Sequence, residues 1–316
     1  MKKNNTPSIS VIMATYNGEK YIREQLDSIL NQTYPPHELI IQDDCSTDST
    51  PEIIKEYAKK HECIHFFQNE RNQGAHMNFK SATMRAKCDY IAFSDQDDVW
   101  YPQKLEKQIK AITDYDLCYS QHHVGYDKQH LKVVSYKCAP ERQLFAAIVG
   151  HSFLMRRSYV QNSKNWLDYL PFHDISLCLM AHFENGVTCV NEPLNWHRSH
   201  AEQVSRSHIG KRQSSEKDYY RPYIYGYSRL RCLQTKTSFI SFFNEVEKRS
   251  DGRNTLVHNI CLLMLKKDLL SLLKLCFLCM KHRQTVYPTE AKGVKGLVRG
   301  FFYPFIYAYH IDFFKR

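Results

Sequence analysis

No stretch of this 316-residue sequence is both long enough and apolar enough to cross a bilayer. The best candidate, Leu262–Met280, is interrupted by Lys266, Lys267, Asp268 and Lys274. The only apolar run near the N-terminus, Ile9–Ala14, is short and broken by Ser10, so we expect no cleaved secretion signal. Internal repeats and low-complexity tracts are also absent, which excludes repeat and fibrous architectures.

A disulfide framework is absent as well. The 11 cysteines are odd in number and irregular in spacing, which predicts reduced thiols in a cytosolic protein. The spacing Cys276-x-x-Cys279 occurs in redox and zinc sites, but here it lies within the apolar run LLSLLKLCFLCM. We therefore predict that these two thiols pack in a core.

Positive charge is concentrated at one end of the chain. The composition, 43% hydrophobic and 24% charged, is typical of a globular protein, and the net charge is +10. Residues 211–316 contain 20 Lys and Arg against 8 Asp and Glu, whereas residues 1–210 contain 23 against 25. The excess predicts an anionic partner for residues 211–316 alone.

Residues 1–120 alternate between strand and helix patterns. This repetition predicts an α/β fold with a mainly parallel central sheet. The predicted strands are Ser8–Met13, Glu38–Ile41, Ile64–Phe67 and Tyr90–Phe93, and the predicted helices are Glu19–Asn31, one starting near Thr50, and Asn78–Ala86.

Polar clusters follow three of these strands, namely Thr15-Tyr16-Asn17, Asp43-Asp44 and Asp95-Gln96-Asp97-Asp98. Because such sheets bind ligands outside the carboxyl ends of their strands, we expect the clusters to converge at one edge. Asp95 and Asp97 form a D-x-D pair, and carboxylates this close repel unless a cation or hydrogen-bond donors compensate. Mg²⁺ and Mn²⁺ prefer oxygen ligands, so the pair is suited to a divalent cation bound to a diphosphate.

Six motifs, in order along the chain, are similar to those of one enzyme family. They are SVIMATYNGEKYIREQLDSILNQTY, LIIQDDCSTDST, ERNQGAHMNF, YIAFSDQDDVWYPQKL, FHDISLCLMAHFENG and WHRSHAEQVS. Together they resemble the family-two glycosyltransferases, nucleotide-sugar enzymes with the GT-A fold, over the first two-thirds of the chain. The FSDQDDVW form and the HD motif are most similar to the branch that includes bacterial rhamnosyltransferases of surface polysaccharides. The resemblance implies a GT-A catalytic domain over residues 1–210 and a helical, basic and aromatic region over residues 211–316.

The resemblance also implies a nucleotide pocket. Its contacts would be Ala14 and Tyr16 in the first loop, Asp43 and Asp44 in the second, and Asn72 and Gly74 in a third. Tyr16 would lie near the base, or serve only to pack its turn, and Asp44, with Asp43, would hydrogen-bond the base. The family usually has Gly where Cys45 stands, so we expect the turn there to avoid a conformation open only to glycine.

Metal and sugar contacts are implied by the same resemblance. Asp97 would bind Mn²⁺ or Mg²⁺ on the diphosphate, and Asp95 would approach the ribose or the metal. The remaining implied contacts are Asp98 and Trp100 on the sugar and acceptor side, Arg198 on a phosphate, and His197 and His200 on the metal or diphosphate, unless these histidines form only the pocket wall.

Sugar transfer also needs a base, because the acceptor hydroxyl must lose its proton as it attacks. Asp174 in PFHD matches the family's base position, at the start of a predicted helix, Asp174–Phe183. We predict a single inverting displacement with Asp174 as the base. His173 is the alternative base, since its ordinary pKa suits proton transfer. Asp174 can also be only the N-cap of its helix.

Other functional classes of protein have weaker support from the sequence. His61-Glu-Cys-Ile-His65 matches the H-E-x-x-H zinc pattern, which needs both histidines on one helix, but it straddles a loop and a predicted strand. No G-x-S-x-G elbow of a serine hydrolase is present. A catalytically silent family member that acts as a scaffold in polysaccharide assembly is the non-enzymatic alternative, although the chain retains Asp95, Asp97 and Asp174.

Two C-terminal segments, Leu262–Met280 and Gly296–Phe314, combine apolar, aromatic and basic residues. FFYPFIYAYHIDFF carries eight aromatic residues from Phe301 to Phe314, followed by Lys315-Arg316. Such segments occur at membrane interfaces, which predicts a cytoplasmic protein on the inner face of the membrane, where a glycan or polyprenyl-linked acceptor is presented. The alternative is a helical subdomain whose aromatic residues pack on the catalytic domain or on a second subunit. No nucleic-acid module accompanies the basic residues, so we expect no nucleic-acid partner.

Overall fold

The computed structural model describes residues 6–200, 216–287, 292–311 and 314. These residues form two compact units. The first comprises residues 6–138, 148–168 and 172–200, and the second comprises residues 139–147, 169–171 and the described residues from 216 onward. The predicted boundary at residue 210 lies outside the described residues, so a division there stays a prediction.

One nine-stranded sheet organises the first unit. Its strand order is β3-β2-β1-β4-β8-β6-β9-β5, and β7 pairs with β6. Six strands run in one direction, and β5, β7 and β8 run against them, so the sheet is mainly parallel. The strands are β1 Ile9–Thr15, β2 Glu38–Asp43, β3 Ile64–Gln68, β4 Tyr90–Ser94, β5 Val99–Trp100, β6 Leu117–Gly125, β7 Lys132–Val134, β8 Phe153–Arg156 and β9 Val187–Arg198.

Helices surround this sheet and make up most of the second unit. In the first unit they are α1 Ile22–Leu30, α2 Thr50–Lys60, α3 Ala75–Thr83, α4 Lys104–Ile112, α6 Arg157–Val160 and α7 His173–Ala181, with short 3-10 turns at Gly150–Ser152 and Ser163–Asn165. In the second unit they are α5 Pro140–Gln143, α8 Glu216–Leu233, α9 Thr237–Ser250, α10 Thr255–Leu265, α11 Leu269–Lys281, α12 Arg283–Val286, α13 Gly293–Phe301 and α14 Tyr303–His310.

The four predicted strands are confirmed, and β1 and β2 run further than predicted because they pair as far as Thr15 opposite Asp43. Helix α3 begins at Ala75 instead of Asn78, directly after Gly74, whose φ of 84° turns the chain into the helix. His61 follows the last residue of α2 and His65 lies in β3, so the two histidines do not share a helix, as the H-E-x-x-H zinc pattern requires.

Two hydrophobic cores cover the two faces of the sheet. Along β1, Val11 and Met13 point to one core and Ile12 points to the other, because side chains alternate along a strand. The core that contains Val11 also includes side chains from α1, α2 and α4, and the core that contains Ile12 includes side chains from α3 and α7. With both faces covered, the strands read as continuous apolar runs.

The C-terminal aromatic residues are mostly buried within the second unit. Tyr303, Phe305, Tyr307 and Phe314 are all buried, and the ring of Phe145 lies 5.1 Å from Tyr303 and 4.9 Å from Tyr307. Of the two alternatives that the sequence left open, packing within a helical subdomain therefore applies to these side chains. Asp312, Phe313, Lys315 and Arg316 lie outside the described residues.

The cysteines and the helices agree with two further predictions. All 11 cysteines lie among the described residues and none forms a disulfide, and Cys276 and Cys279 are buried on α11. Among the described residues, no helix combines the length and the apolar content that a membrane span requires.

The turn after β2 holds a strained residue. Cys45 has a φ of 66°, in the left-handed region that favours glycine, so the turn does not avoid this region as expected. Its Sγ atom lies 3.8 Å from the carbonyl oxygen of Glu70. Cysteine is tolerated there because the left-handed region is unfavourable for a side chain but not closed to it.

We expect Cys45→Gly to stabilise the protein by about 0.5–1 kcal/mol, because relief of the left-handed strain exceeds the greater entropy of glycine in the unfolded chain. Urea unfolding of both proteins measures the change. Cys63→Gly is the matched control, since Cys63 also lies in a turn but its φ is not positive. The control should lose stability, and a Cys45→Gly variant that loses as much would contradict the strain.

Candidate active site

The acidic loop Asp95–Asp98 connects β4 to β5 at the carboxyl edge of the sheet. Met13 of β1 pairs with Ser94 of β4, so the loop after β4 emerges beside the loop after β1. The predicted convergence of the first and third polar clusters is thus confirmed by the strand register.

Gln96 ties the acidic loop to the loop after β1. Its side-chain Oε1 accepts a hydrogen bond from the Tyr16 backbone N–H at 2.9 Å, and its Nε2 donates to the Tyr16 carbonyl oxygen at 2.9 Å. Gly18 makes this approach possible, because a Cβ atom there would lie 2.3 Å from Gln96 Oε1. The Tyr16 backbone is therefore held from both sides, while its ring remains 46% exposed.

The loop after β1 is also locked to the loop after β2. Asn17 N–H donates to Ser46 Oγ, and Thr47 N–H donates to Asn17 Oδ1, each at 2.9 Å. Gly18 N–H donates to Thr50 Oγ1 at 2.8 Å. The Thr50 hydroxyl therefore bonds to the loop after β1. Ser49, the preceding residue, occupies the N-cap position of α2. Two adjacent strand ends are thereby joined into one rigid surface.

Both carboxylates of the second cluster are engaged by the surrounding loops. Asp43 is buried and accepts hydrogen bonds from the hydroxyls of Thr15 and Ser46, from Ser46 N–H and from Gln68 Nε2. Asp44 accepts from the backbone N–H groups of Gln73 and Gly74, each at 2.8 Å, and from Asn69 Nδ2 at 2.7 Å. Asn72 Oδ1 accepts from Gly74 N–H at 3.1 Å. Asp44 thus shapes the third loop, and direct contact of these residues with a base stays a prediction.

Asp98 is buried and paired on both oxygens. His197 Nδ1 lies 2.8 Å from Oδ1, and Asn195 Nδ2 donates to Oδ2 at 3.1 Å. Asn195 and His197 lie two residues apart on β9, which pairs with β5 directly after the acidic loop. Although burial lowers it, the charge of Asp98 and its hydrogen bond raise the pKa of His197 to about 9. The pair therefore consists of an imidazolium and a carboxylate at neutral pH.

His151 belongs to the same buried cluster. Its ring stacks on His197 at 4.7 Å, and its Nδ1 lies 3.3 Å from Asp98 Oδ2. Burial lowers the pKa of His151, and the neighbouring His197 lowers it further. Its Nε2 is buried and meets no hydrogen-bond partner among the described residues. Potential ligand atoms of Asp95, Asp98, His151 and His197 all lie within 4.8 Å of one another.

Asp95 is the carboxylate that the cluster compensates least, through the charge of His197 without a hydrogen bond. Within the described part of the chain, no hydrogen-bond donor reaches its side chain, and burial together with the charges of Asp98 and Asp97 raises its pKa well above the ordinary value. A cation would relieve this repulsion, so the residues fit the divalent metal that the fold family implies. Asp98 is already paired with His197, which leaves the oxygens of Asp95 as the better donors for a hard cation, and Asp97 as a second metal ligand stays a prediction.

Asp97 lies nearer the surface and meets the end of β9. Its Oδ2 lies 2.6 Å from His200 Nε2, and both side chains are 14% exposed. Arg198 is held nearby by an ion pair with Glu24, and its Nε donates to the Asp97 carbonyl oxygen at 3.2 Å. Asp97 and His200 are thus brought together, as the predicted metal set requires, whereas Arg198 already has a carboxylate partner.

The predicted base lies at the start of α7. His173 Nε2 is 3.0 Å from Asp174 Oδ1, and the His173 ring packs 4.6 Å from Phe79 and 5.2 Å from Phe93. Burial lowers the pKa of His173, so its ring is neutral. The cap position of the helix is Phe172, without a side-chain cap, so the N-cap reading of Asp174 is wrong. Its side chain is 24% exposed, which leaves it open to a substrate.

Gly150 makes room for this pair. A Cβ atom at this position would lie 2.8 Å from Asp174 Oδ1 and 2.8 Å from His173 Nε2. Any larger residue would therefore displace the carboxylate or the imidazole.

Trp100 does not lie on the sugar side as expected. It is 2% exposed and packs in the core that contains Leu105 and Ile112, with Lys104 Nζ 5.0 Å from its ring. Val99 and Trp100 form a short strand after the acidic loop, and the alternation along that strand turns the tryptophan inward. Its position supports a structural role for the ring, without sugar contact.

Sequence reasoning missed Gln96, Gly150, His151 and Asn195. The spacing Asn195-x-His197 places two polar side chains on one face of a strand, which is a signal that could have identified Asn195. Gln96 lies within the recognised motif, but its amide contacts the backbone of a residue 80 positions away. No local pattern marks Gly150 or His151.

Comparisons with known proteins give one family. Residues 10–166 match the family described as glycosyl transferase family 2. RfbG of Shigella flexneri, named dTDP-rhamnosyl transferase, is 32% identical over 191 residues, covering 55% of this chain and 66% of RfbG. TuaG of Bacillus subtilis, named for teichuronic acid biosynthesis, is 42% identical over 114 residues, covering 36% of this chain and 45% of TuaG. The aligned segment thus spans less than half of the length of TuaG.

Solved structures give the same fold. The crystal structure of S. aureus TarS 1-349 in complex with UDP-GlcNAc has a TM-score of 0.53 and 19% identity, covering 88% of this chain and 81% of that chain. The complex of the same protein with UDP has a TM-score of 0.53 and 18% identity, covering 92% and 95%. The likeness confirms the predicted α/β, GT-A architecture. Residues 10–166 are 157 of the 316, about half of the sequence, and this part of the chain belongs to glycosyl transferase family 2.

Proposed function

We propose that this chain is an inverting glycosyltransferase of cell-surface polysaccharide synthesis. It moves a hexosyl or deoxyhexosyl group from a nucleoside-diphosphate donor to a glycan or polyprenyl-linked acceptor. The names of RfbG and TuaG support the pathway class, and the UDP-GlcNAc and UDP in the TarS crystal structures support the donor class. One observation carries the proposal: the adjacent residues Gly150 and His151 lie against the predicted base and the acidic loop. A Cβ atom at Gly150 would lie 2.8 Å from Asp174 Oδ1, and His151 Nδ1 lies 3.3 Å from Asp98 Oδ2.

The donor side is formed by the joined strand-end loops. Tyr16 presents an exposed ring from a backbone that Gln96 holds, which suits stacking on a nucleobase. Asp95, Asp97 and His200 would hold Mn²⁺ or Mg²⁺, which supplies positive charge beside the diphosphate leaving group when it is bound. The acidic loop is fixed by the contacts that Asp98 makes with His197 and Asn195 of β9.

The acceptor side is formed by Asp174. Its carboxylate takes the proton of the acceptor hydroxyl while that oxygen attacks the anomeric carbon opposite the leaving group, which inverts the configuration. The buried, neutral ring of His173 contacts the Asp174 carboxylate and orients it. Because this ring carries no charge, it does not lower the basicity of Asp174. This arrangement favours Asp174 over His173 as the base.

Asp97→Asn should lose metal-dependent nucleotide binding, because it removes an anionic ligand. Calorimetry with UDP and with dTDP, each with and without Mn²⁺, measures the nucleotide affinity. We expect the affinity with Mn²⁺ to fall by about tenfold or more and the affinity without metal to stay unchanged. Asp114→Asn, at an exposed aspartate outside the site, is the control. A wild-type protein that binds no nucleotide from a broader panel, with or without metal, would favour the silent scaffold.

Asp174→Asn should keep nucleotide binding and lose turnover by about 10²- to 10⁴-fold, the range over which a positioned base accelerates proton transfer. Donor consumption under initial-rate conditions measures it. His173→Gln retains an N–H donor toward Asp174, so its rate should fall by about tenfold at most. Normal turnover of Asp174→Asn, or a greater loss for His173→Gln, would show that the base is assigned to the wrong residue.

Gly150→Ala should lower kcat with little change in the KM for the donor, because the new methyl group displaces Asp174 and not the nucleotide loops. We expect a loss of about 10²-fold, as small misplacements of catalytic groups can have effects of this size. Ser152→Ala, in the same 3-10 turn, is the control for disturbance of the turn itself. Equal losses in both variants would contradict a specific clash with Asp174.

A further inference from the structure

Two helices of the second unit expose a row of large apolar side chains. They are Leu269, Leu270, Leu273 and Phe277 on α11, and Val294, Leu297 and Val298 on α13, with exposed fractions from 39% to 76%. We name these seven residues the α11–α13 face. Their spacing follows the helical repeat, so each row occupies one side of its helix.

The two rows are neighbours. The ring of Phe277 lies 5.2 Å from the ring of Phe301, which continues the row on α13. Gly300 permits close approach at this point, because a Cβ atom there would lie 2.8 Å from Arg283 Cβ and 3.1 Å from Met280 Cα. The α11–α13 face is therefore one contiguous apolar surface, of the kind that marks an interaction site.

Positive charge surrounds this face. Residues 266–281 and 292–301 contain one acidic residue, Asp268, whose Oδ1 caps α11 by accepting from Ser271 N–H at 2.8 Å. The basic residues of these two ranges are Lys266, Lys267, Lys274, Lys281, Lys292, Lys295 and Arg299. An occupant of the face must therefore be apolar at its centre and anionic at its margin.

We propose that the α11–α13 face docks on the surface of an anionic phospholipid bilayer. The leucine, valine and phenylalanine side chains enter the boundary between headgroups and acyl chains, and the lysines contact the lipid phosphates. A second copy of the chain fits less well, because it would bring two basic margins together. The face overlaps the segments Leu262–Met280 and Gly296–Phe314 that the sequence indicated, but α11 and α13 carry its exposed side chains, whereas the aromatic residues of α14 are mostly buried. The proposal does not depend on the proposed transfer chemistry.

Flotation of the full chain with phosphatidylglycerol vesicles and with phosphatidylcholine vesicles tests the proposal. The wild type should float with the anionic vesicles, and less so as salt increases. The double variant Leu270→Gln/Phe277→Ser should bind them at least about tenfold more weakly, since it removes two of the largest apolar contacts. Ile224→Gln/Tyr225→Ser on α8 is the matched control, because it removes two side chains of similar exposure outside the face.

Charge reversal tests the basic margin separately. Lys274→Glu/Lys295→Glu should weaken binding to anionic vesicles by about tenfold or more and reduce its salt dependence. Lys59→Glu/Lys137→Glu makes the same change in net charge at exposed positions of the first unit and should bind like the wild type. Equal losses in both variants would point to net charge alone and overturn the proposal.

A fluorescent variant keeps the proposal open to refutation if a double variant is unstable. Phe277→Trp places an indole on the face, and its emission should shift to shorter wavelength with phosphatidylglycerol vesicles only. Absence of flotation, absence of the shift, or a wild-type dimer that the Leu270→Gln/Phe277→Ser variant alone disrupts would overturn the proposal. Calorimetry with nucleotide is read independently, so a failure of membrane docking is distinguishable from a failure of the proposed catalytic function.

Discussion

Repulsion among three carboxylates at the end of β4 is the constraint on which the site depends. Ligand atoms of Asp95 and Asp98 lie within 4.8 Å, where two like charges repel by about 3 kcal/mol at an effective dielectric constant of about 20. The chain compensates two of the three: Asp98 by His197 and Asn195, and Asp97 by His200. Asp95 remains, and its unfavourable surroundings are a reason for a cation to bind there.

The compensating groups come from strands that are distant in sequence. The mainly parallel order of the sheet gathers the ends of β1, β2 and β4 at one edge, and β9 returns to that edge beside β5. Hydrogen bonds between the loops then join these ends. Strands β1, β2 and β4 are almost entirely buried, so the loops at their ends begin from a packed core, which suits electrostatic preorganisation.

Much of this could be predicted from sequence because buried parallel strands read as apolar runs that stop at polar turns. The D-x-D pair and Asp174 followed from side-chain chemistry and from the resemblance to a family. Gln96 and Gly150 could not be predicted in the same way, since an amide that binds a distant backbone and a missing Cβ have no local signature. The sequence left open whether the C-terminal aromatic residues face a membrane or pack in a helical subdomain, because composition does not reveal which side of a short helix is covered. Phe145, from a distant part of the chain, packs on two of them.

Gln96 shows how much a single side-chain nitrogen can matter. Its amide pairs with the Tyr16 backbone as residues pair between neighbouring β-strands: the amide nitrogen donates to the Tyr16 carbonyl, and the amide oxygen accepts from the Tyr16 N–H. Deamidation, a covalent ageing reaction of glutamine, would replace the donor with an oxygen facing the Tyr16 carbonyl. It would also place a fourth acid among three that already repel. This single reaction would then weaken the contact between the acidic loop and the loop after β1, with no other covalent change in the chain.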